Sequence, residues 1–275
     1  ADIAHVYYPH FPEVRVKWSL RVRDVTFRHG PLRARRVMVE SSHLAREMTR
    51  IYAVPPEKIS VVYQVLPRLF SATDMPDMGA DRPRPYLFYP AQLWAHKNHK
   101  NLLRAFALLV SEFPDLRLVL AGSRKPGSEA IFDQIRDLGL SERVDYLGYV
   151  PDEEMPKLYR NAAALVMPTY FGPTNIPTLE AFAFGCPAVI SDLPGVSEQT
   201  GDAALRFDPD SPEDMAAKLR QVLADPALAA RLVQAGRARM AELSYEDYRR
   251  RMFALFDAAL TPPAVNKDGA STKRL

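Results

Sequence analysis

The sequence predicts an α/β fold built on a doubly wound parallel sheet, and three observations carry that prediction. From about residue 86 onward, short β-rich apolar runs alternate with helical patterns. Turn residues flank each run, and helical stretches of about ten residues or more intervene, enough for βαβ crossovers. Upstream of residue 66, one more strand–helix–strand unit can be read.

In chain order, VMVE (37–40), a helix around HLAREMTRIYAV and the strand ISVVY (59–63) form that upstream unit. PRLFSATDMPDMGADRPRP (67–85), rich in Pro, Asp and Met, reads as a linker. YLFYP (86–90) then precedes a helix in NHKNLLRAFALLVSEF, and LRLVLAG (116–122) precedes one near SEAIFDQIRDLG. VDYLGY (144–149) leads into DEEMPKLYRN, and AALVMP (163–168) into PTLEAFAFG; AVIS (188–191) and ALRF (204–207) follow. That makes about six strands, so a three-layer Rossmann-like domain is the economical fold. LSYEDYRRRMFALFDAAL is an amphipathic helix, and PPAVNKDGASTKRL a disordered tail. The expected organisation is a remnant of an N-terminal Rossmann-like domain over 1–66, the linker over 67–85, a complete second Rossmann-like domain over 86–243, a C-terminal helix over 244–261 and a tail over 262–275. The chain opens without Met and without an entry strand, as expected of a trimmed chain.

Composition bounds the function. With 275 residues, 47% of them hydrophobic, the chain can bury a real core in one large or two modest domains. No run approaches the roughly 18 uninterrupted apolar residues of a membrane span, and ADIAHVYYPHFPEVR has no signal-peptide pattern, so a soluble chain is expected. The lone Cys186 has no disulfide partner and reads as a small buried residue, in keeping with a reducing cytoplasm. A net charge of +3 gives no case for nucleic acid. Charge is uneven, however: residues 1–50 hold ten Lys/Arg against five Asp/Glu. The basic stretch VRVKWSLRVRDVTFRHGPLRARR reads either as a helix with Val14, Trp18, Val22 and Val25 on one face or as a strand by alternation of Val14, Val16, Trp18, Leu20 and Val22. As a helix it could rest on anionic lipid, although a solvated basic face explains it too.

The loop YFGPTNIP and its helix carry the candidate chemistry. In open α/β sheets, ligands bind beyond the carboxyl ends of the strands, where free N–H groups at helix starts favour anions. Gly172 permits an unusual backbone angle, Asn175 or Thr174 can cap, and Pro177 suits a first helical turn. Glu180 follows within about a turn, where an acid would complement the helix dipole, but Pro177 denies it a capping box. A carboxylate beside a phosphate site should instead take neutral hydroxyls, such as a ribose diol, on its two oxygens. YPAQLWAHKNHKNLL (89–103) is a second strand end entering a helix, where Lys97 could neutralise a diphosphate and Gln92 donate a hydrogen bond. His96 and His99 lack an obvious third metal ligand, and Asp208-Pro-Asp210 runs into a helix start at Ser211 rather than a metal site. GSRKPGS (122–128) is too loose for a phosphate fingerprint.

Taken together, PAQLWAHKNH, LVLAGS, VDYLGYVPDEEM, AALVMPTYFGPTNIPTLEAFAFGCPAVISD and PGVSEQTGDAALRFDP resemble the C-terminal half of a retaining, GT-B-fold glycosyltransferase of family 4, the glycosyl transferases group 1, over roughly residues 86 to 260. ARRVMVESSHLAREMTRIYAVPPEKISVV is more weakly similar to the end of that family's N-terminal domain. The resemblance implies a Glu-x7-Glu motif whose second Glu, the ribose binder, falls on Glu180. Its first Glu falls on Gly172, as in the branch carrying FGPTNIP, where amides around Thr174, Asn175 and Ile176 handle sugar and phosphate. The basic pair for the diphosphate falls on Gln92 and Lys97, so only the lysine remains, and the nucleobase lies against Tyr149 and Val150. The implied activity is transfer of a sugar, of GDP-mannose type, from a nucleotide-sugar donor to a saccharide or lipid-linked acceptor in surface polysaccharide synthesis, without a cofactor or metal. Lys97 and Glu180 are the expected catalytic pair, in a cytoplasmic protein in peripheral contact with the inner face of the membrane. His5 and the basic N-terminal stretch are then expected near the cleft or the membrane. The replacements at Gly172 and Gln92 keep a rival open, a non-catalytic nucleotide-sugar-binding module or subunit, with a sugar-nucleotide epimerase as a third reading.

Overall fold

A computed structural model describes residues 3–15, 19–66, 85–172 and 175–261. Almost all of the expected linker (67–84), the expected tail (262–275), Trp18 and Thr174 lie outside the described residues. The six-stranded sheet is wholly parallel, with β3 (Tyr86–Pro90), β4 (Arg117–Ala121), β5 (Val144–Gly148), β6 (Ala164–Met167), β7 (Ala188–Ser191) and β8 (Ala204–Phe207) in the spatial order 5-4-3-6-7-8. Central β6 and β7 are buried along their whole length, which is why they read as unbroken apolar runs, whereas edge strand β5 is partly exposed.

The chain winds outward from β3 through α4 (His99–Ala107), β4 and α5 (Glu129–Asp137) to β5, then returns by α6 (Met155–Asn161) to β6, beside β3. The order therefore reverses between β3 and β6, and the crevice at their carboxyl ends is where such sheets take ligands. From β6 the chain continues through α7 (Ile176–Phe184), β7, α8 (Val196–Thr200) and β8 to α9 (Pro212–Ala224) and α10 (Pro226–Glu242). Fully buried Phe88, Tyr89, Phe106, Tyr159, Phe182 and Phe207 fill the core, and Cys186 lies in it as a free, buried thiol.

A smaller body precedes this sheet. β1 (Val37–Val39) and β2 (Ile59–Val61) pair in parallel across α3 (Ser42–Tyr52), over a separate core of Ile3, Val39, Leu44, Met48, Tyr52 and Val54. Two further helices belong to it, α1 (Ala4–Tyr7) and α2 (Ser19–Arg33). The basic stretch is thus helical over Ser19–Arg33. Val14 is buried ahead of the helix start, and Val22 and Val25 are each 55% exposed. α11 (Tyr245–Leu260) runs back from the sheet to this body, where Arg35 and Arg36 donate to the carbonyls of Ala259 and Ala258 at its end. Among the described residues, no helix is long and apolar enough to cross a membrane.

The crevice depends on one glycine. At Gly122 (φ +142°), just past β4, a Cβ would stand 2.2 Å from the Ala91 carbonyl oxygen, on the loop that leaves β3. Gly122→Ala is expected to cost about 3 kcal/mol, near the upper end for overpacking, and to lower the urea midpoint. An unchanged midpoint would show that the two loops do not meet this closely.

Candidate active site

Two loops meet at the switch point. The one leaving β3 ends in a tight 3-10 turn, Ala95–Lys97, before α4. The buried Tyr89 hydroxyl donates to the Lys97 carbonyl at 2.6 Å, tying the turn to its own strand. The other loop, leaving β6, joins it through the His96 carbonyl, which accepts from Tyr170 N–H at 2.9 Å and Thr169 Oγ1 at 3.3 Å. Burial lowers the pKa of the Lys97 ammonium, and among the described residues no carboxylate pairs with it.

Gln92, Tyr149, Val150 and Glu180 line one hollow with Gly122, Asp152 and other residues. Tyr149 is 76% exposed at its rim. Gln92 uses its carbonyl oxygen to accept from the Trp94 indole at 2.9 Å, which leaves its amide hydrogens as the donor end. Glu180 is the fifth residue of α7, not a first-turn acid, so the expected dipole role fails on geometry. Its Oε2 accepts from the Tyr159 hydroxyl at 2.5 Å. Burial, with Asp152 adding to it, raises the Glu180 pKa, and the Tyr159 bond only partly offsets this. Tyr159 itself is fixed edge-on to Phe88 and stacked on Phe184.

The rest of the expected set divides. Gly172 lies outside this hollow and lines a second, largely apolar cleft with Tyr7, Tyr8, His43, Tyr170 and Phe171. Asn175 precedes α7 without a side-chain cap, and its backbone N–H, expected to be offered to a ligand, is already taken by Gln199 Oε1 at 3.1 Å. Ile176 opens the helix. His5 is buried, 7% exposed, with Nε2 2.9 Å from the Tyr52 hydroxyl, and its neighbours Ala4 and Tyr7 line the second cleft. His99 is buried and held down to about 3 by that burial and by Lys97 and His96. Asp208 and Asp210 are engaged in local turn bonds, while Ser211 caps α9.

Three participants have no sequence signal. Tyr159 is one tyrosine among several in a helical pattern. Glu13 accepts from His96 N–H at 2.8 Å and contacts its imidazole, and the His96 ring stacks on Phe171 with centroids 4.1 Å apart. Burial works to raise the Glu13 pKa, but the bonds from His96 hold it below the usual carboxylate range. Gln199, the third, reaches the loop from another helix. Only the fold makes these neighbours.

The family model described as Glycosyl transferases group 1 matches residues 71–239. The chain belongs to the glycosyl transferases group 1 family. Over 252 residues it is 27% identical to O-antigen chain mannosyltransferase B of Escherichia coli, covering 86% of this chain and 64% of that protein. Identity to O-antigen chain mannosyltransferase RfbU of Salmonella typhimurium is 25%, over 80% of this chain and 59% of that protein. This glycosyl transferases group 1 chain thus spans less than two thirds of the length of either relative. Sucrose-phosphate synthase from Thermosynechococcus elongatus superposes with a TM-score of 0.74 at 23% identity, covering 86% of this chain and 61% of that one. TarM of S. aureus, in a complex that includes UDP, gives 0.73 at 17% identity, with 86% and 46% covered. The likeness establishes the fold as GT-B type.

The buried acid sets a pH dependence. Because the Glu180 pKa is raised on folding, the folded chain holds that proton more tightly. Stability is then lost as pH rises through the window from the ordinary carboxylate value, about 4.3, to the raised one, and stays lost above it. Glu180→Gln, which can still accept from Tyr159, is expected to melt later than the unmodified chain near pH 8, with the advantage fading near pH 4. Thermal unfolding at both values checks this; an equal difference at both would mean that ionisation of Glu180 carries no cost.

Proposed function

We propose that this chain is the donor-binding part of a retaining family 4 glycosyltransferase, transferring a sugar from a nucleotide-sugar donor to a saccharide or lipid-linked acceptor. The observation that carries the reading is Glu180: a carboxylate part-buried beside the exposed ring of Tyr149 and oriented by Tyr159. Two hydroxyl donors on one such carboxylate would offset its desolvation, which is what a ribose diol supplies. The base would lie on Tyr149 and Val150, with Gln92 donating nearby. Lys97, partly dehydrated and without a carboxylate partner among the described residues, would take up the negative charge that develops on the leaving diphosphate. That is electrostatic rather than covalent help, needing neither metal nor cofactor.

Ile176 at the start of α7, with Thr174 and the backbone near Asn175 and Gly172, would meet the donor sugar. The acceptor would enter by the cleft of Tyr7, Tyr8 and Phe171. A GDP-mannose type donor and a role in surface polysaccharide synthesis follow the O-antigen mannosyltransferase relatives. Such a protein would work in the cytoplasm, with the arginine-rich α2 and its exposed Val22 and Val25 against the inner membrane face.

One observation favours a second reading. Gly172 brings no acid to the cleft where the resemblance expects one, as in a module that binds nucleotide sugar without turnover. Acceptor-dependent nucleotide release supports the enzyme; tight binding with no release in a transfer assay supports the module.

Calorimetry separates the two anchors. Lys97→Ala is expected to weaken GDP about tenfold while barely changing guanosine, the scale of a lost charge-assisted bond. Glu180→Ala is expected to weaken GDP by a similar factor but to have little effect on 2′,3′-dideoxy-GDP. Equal losses for GDP and the dideoxy analogue remove the ribose role of Glu180.

A further inference from the structure

Two successive residues of the short helix α8 hold two distant parts of the molecule. Glu198 reaches the start of α3, where Oε2 accepts Ser42 N–H at 2.6 Å and Oε1 accepts His43 N–H at 2.8 Å. These amides have no partner within their own helix, and an anion there also meets the positive end of the helix dipole. Burial works to raise the Glu198 pKa, yet the two amides, the Ser42 hydroxyl and Arg46 hold it below the usual carboxylate range. Gly195, at φ +86°, lets the two bodies approach, since a Cβ there would stand 3.1 Å from His43 Cβ.

Gln199 is 3% exposed, and its Oε1 is the acceptor for Asn175 N–H at the mouth of α7. Its Nε2 is buried without a partner among the described residues, as is the Thr178 hydroxyl in the first turn of α7. Arg239 of α10 donates to the backbone carbonyls of both residues, to Gln199 at 2.9 Å and also to Glu198. α8 is therefore pinned as one piece with a contact at each side.

We propose that Glu198 and Gln199 are positioning residues that couple the seating of the smaller body on the sheet to the shape of the loop that would meet the donor sugar. The inference rests on the donor-site reading above. Neither residue is asked to touch the donor. Glu198 fixes α8 against α3, and Gln199 passes that fixed position to the Asn175 amide. When Glu198 loses its charge, α3 loosens from α8 and the loop loses its template; when Gln199 loses its acceptor, the loop loosens directly.

The test uses the full chain and calorimetry with the tighter binder of GDP-mannose and UDP-glucose, alongside the matching nucleoside monophosphate, which has base and ribose but no distal phosphate or sugar. Glu198→Gln and Gln199→Met keep shape, and thermal unfolding confirms that they fold. Each is expected to weaken the nucleotide sugar about tenfold and to leave the monophosphate within about twofold, a coupling of ordinary size. The double variant should lose little more than the worse single one, because both act through one path. Thr49→Val removes a 2.9 Å bond to the Val54 carbonyl at the far end of α3, away from α8, and should leave binding unchanged. Additive losses in the double variant, equal loss of the monophosphate, or the same loss from Thr49→Val overturns the coupling. If the unmodified chain binds neither nucleotide sugar, the donor-site reading fails, and the coupling falls with it.

Discussion

The chemistry offered by this chain depends on β3 and β6 lying side by side although three helices and two strands separate them in sequence. That adjacency brings the turn at 95–97 against the loop at 169–172 through the shared His96 carbonyl. It follows from burial more than from any local signal. On the two sides of the switch point, β6 is buried along its whole length and β3 along its middle three residues, so both lie inside the sheet and their carboxyl ends open into one crevice. Side chains from both sides of the reversal, Gln92 and Glu180 among them, then line one hollow.

Partial desolvation acts on two groups of opposite sign, Lys97 on the loop that leaves β3 and Glu180 on the helix that follows β6. Burial lowers the Lys97 pKa and raises that of Glu180, so each charged form is disfavoured by its surroundings. A ligand with a diphosphate at one end and a diol at the other would relieve both. Removing ions from water costs several kcal/mol per ion unless a partner compensates. Groups kept in that condition lower the stability of the fold. Tyr159 keeps the cost of Glu180 bounded: its bond satisfies one carboxylate oxygen, and Phe88 and Phe184 fix its ring.

The strands were readable because apolar runs between turn residues are a strong local signal; YLFYP, AVIS and ALRF coincide with β3, β7 and β8. Glu180 and Lys97 could be singled out because each stands near a strand-to-helix junction. Their neighbours could not. Glu13 lies eighty-three residues from His96 and Gln199 twenty-four from Asn175, and no periodicity encodes such pairs. The basic stretch was legible only in part. Its valines fit a helical stripe, but Val14 is buried ahead of the helix start while Val22 and Val25 stay exposed. A pattern can fix the period of an element without fixing where it begins.

Gly172 shows why the loop departs from the acid that its family resemblance leads one to expect. Its backbone has φ +106°, which L side chains rarely adopt, and a Cβ there would come within 3.6 Å of Asn175 Oδ1. A glutamate would have to bear that strain. With glycine, the loop can take this conformation, and Asn175 is buried and tied to Gln199. Recognition of a sugar at this point would then fall to backbone amides and neutral groups, whose aim depends on how the loop is held. A side-chain acid carries its own rotamer preference, whereas a backbone amide points wherever the chain is fixed. The loss of the acid therefore shifts the burden of precision onto the packing behind the loop, where α8 and Gln199 stand.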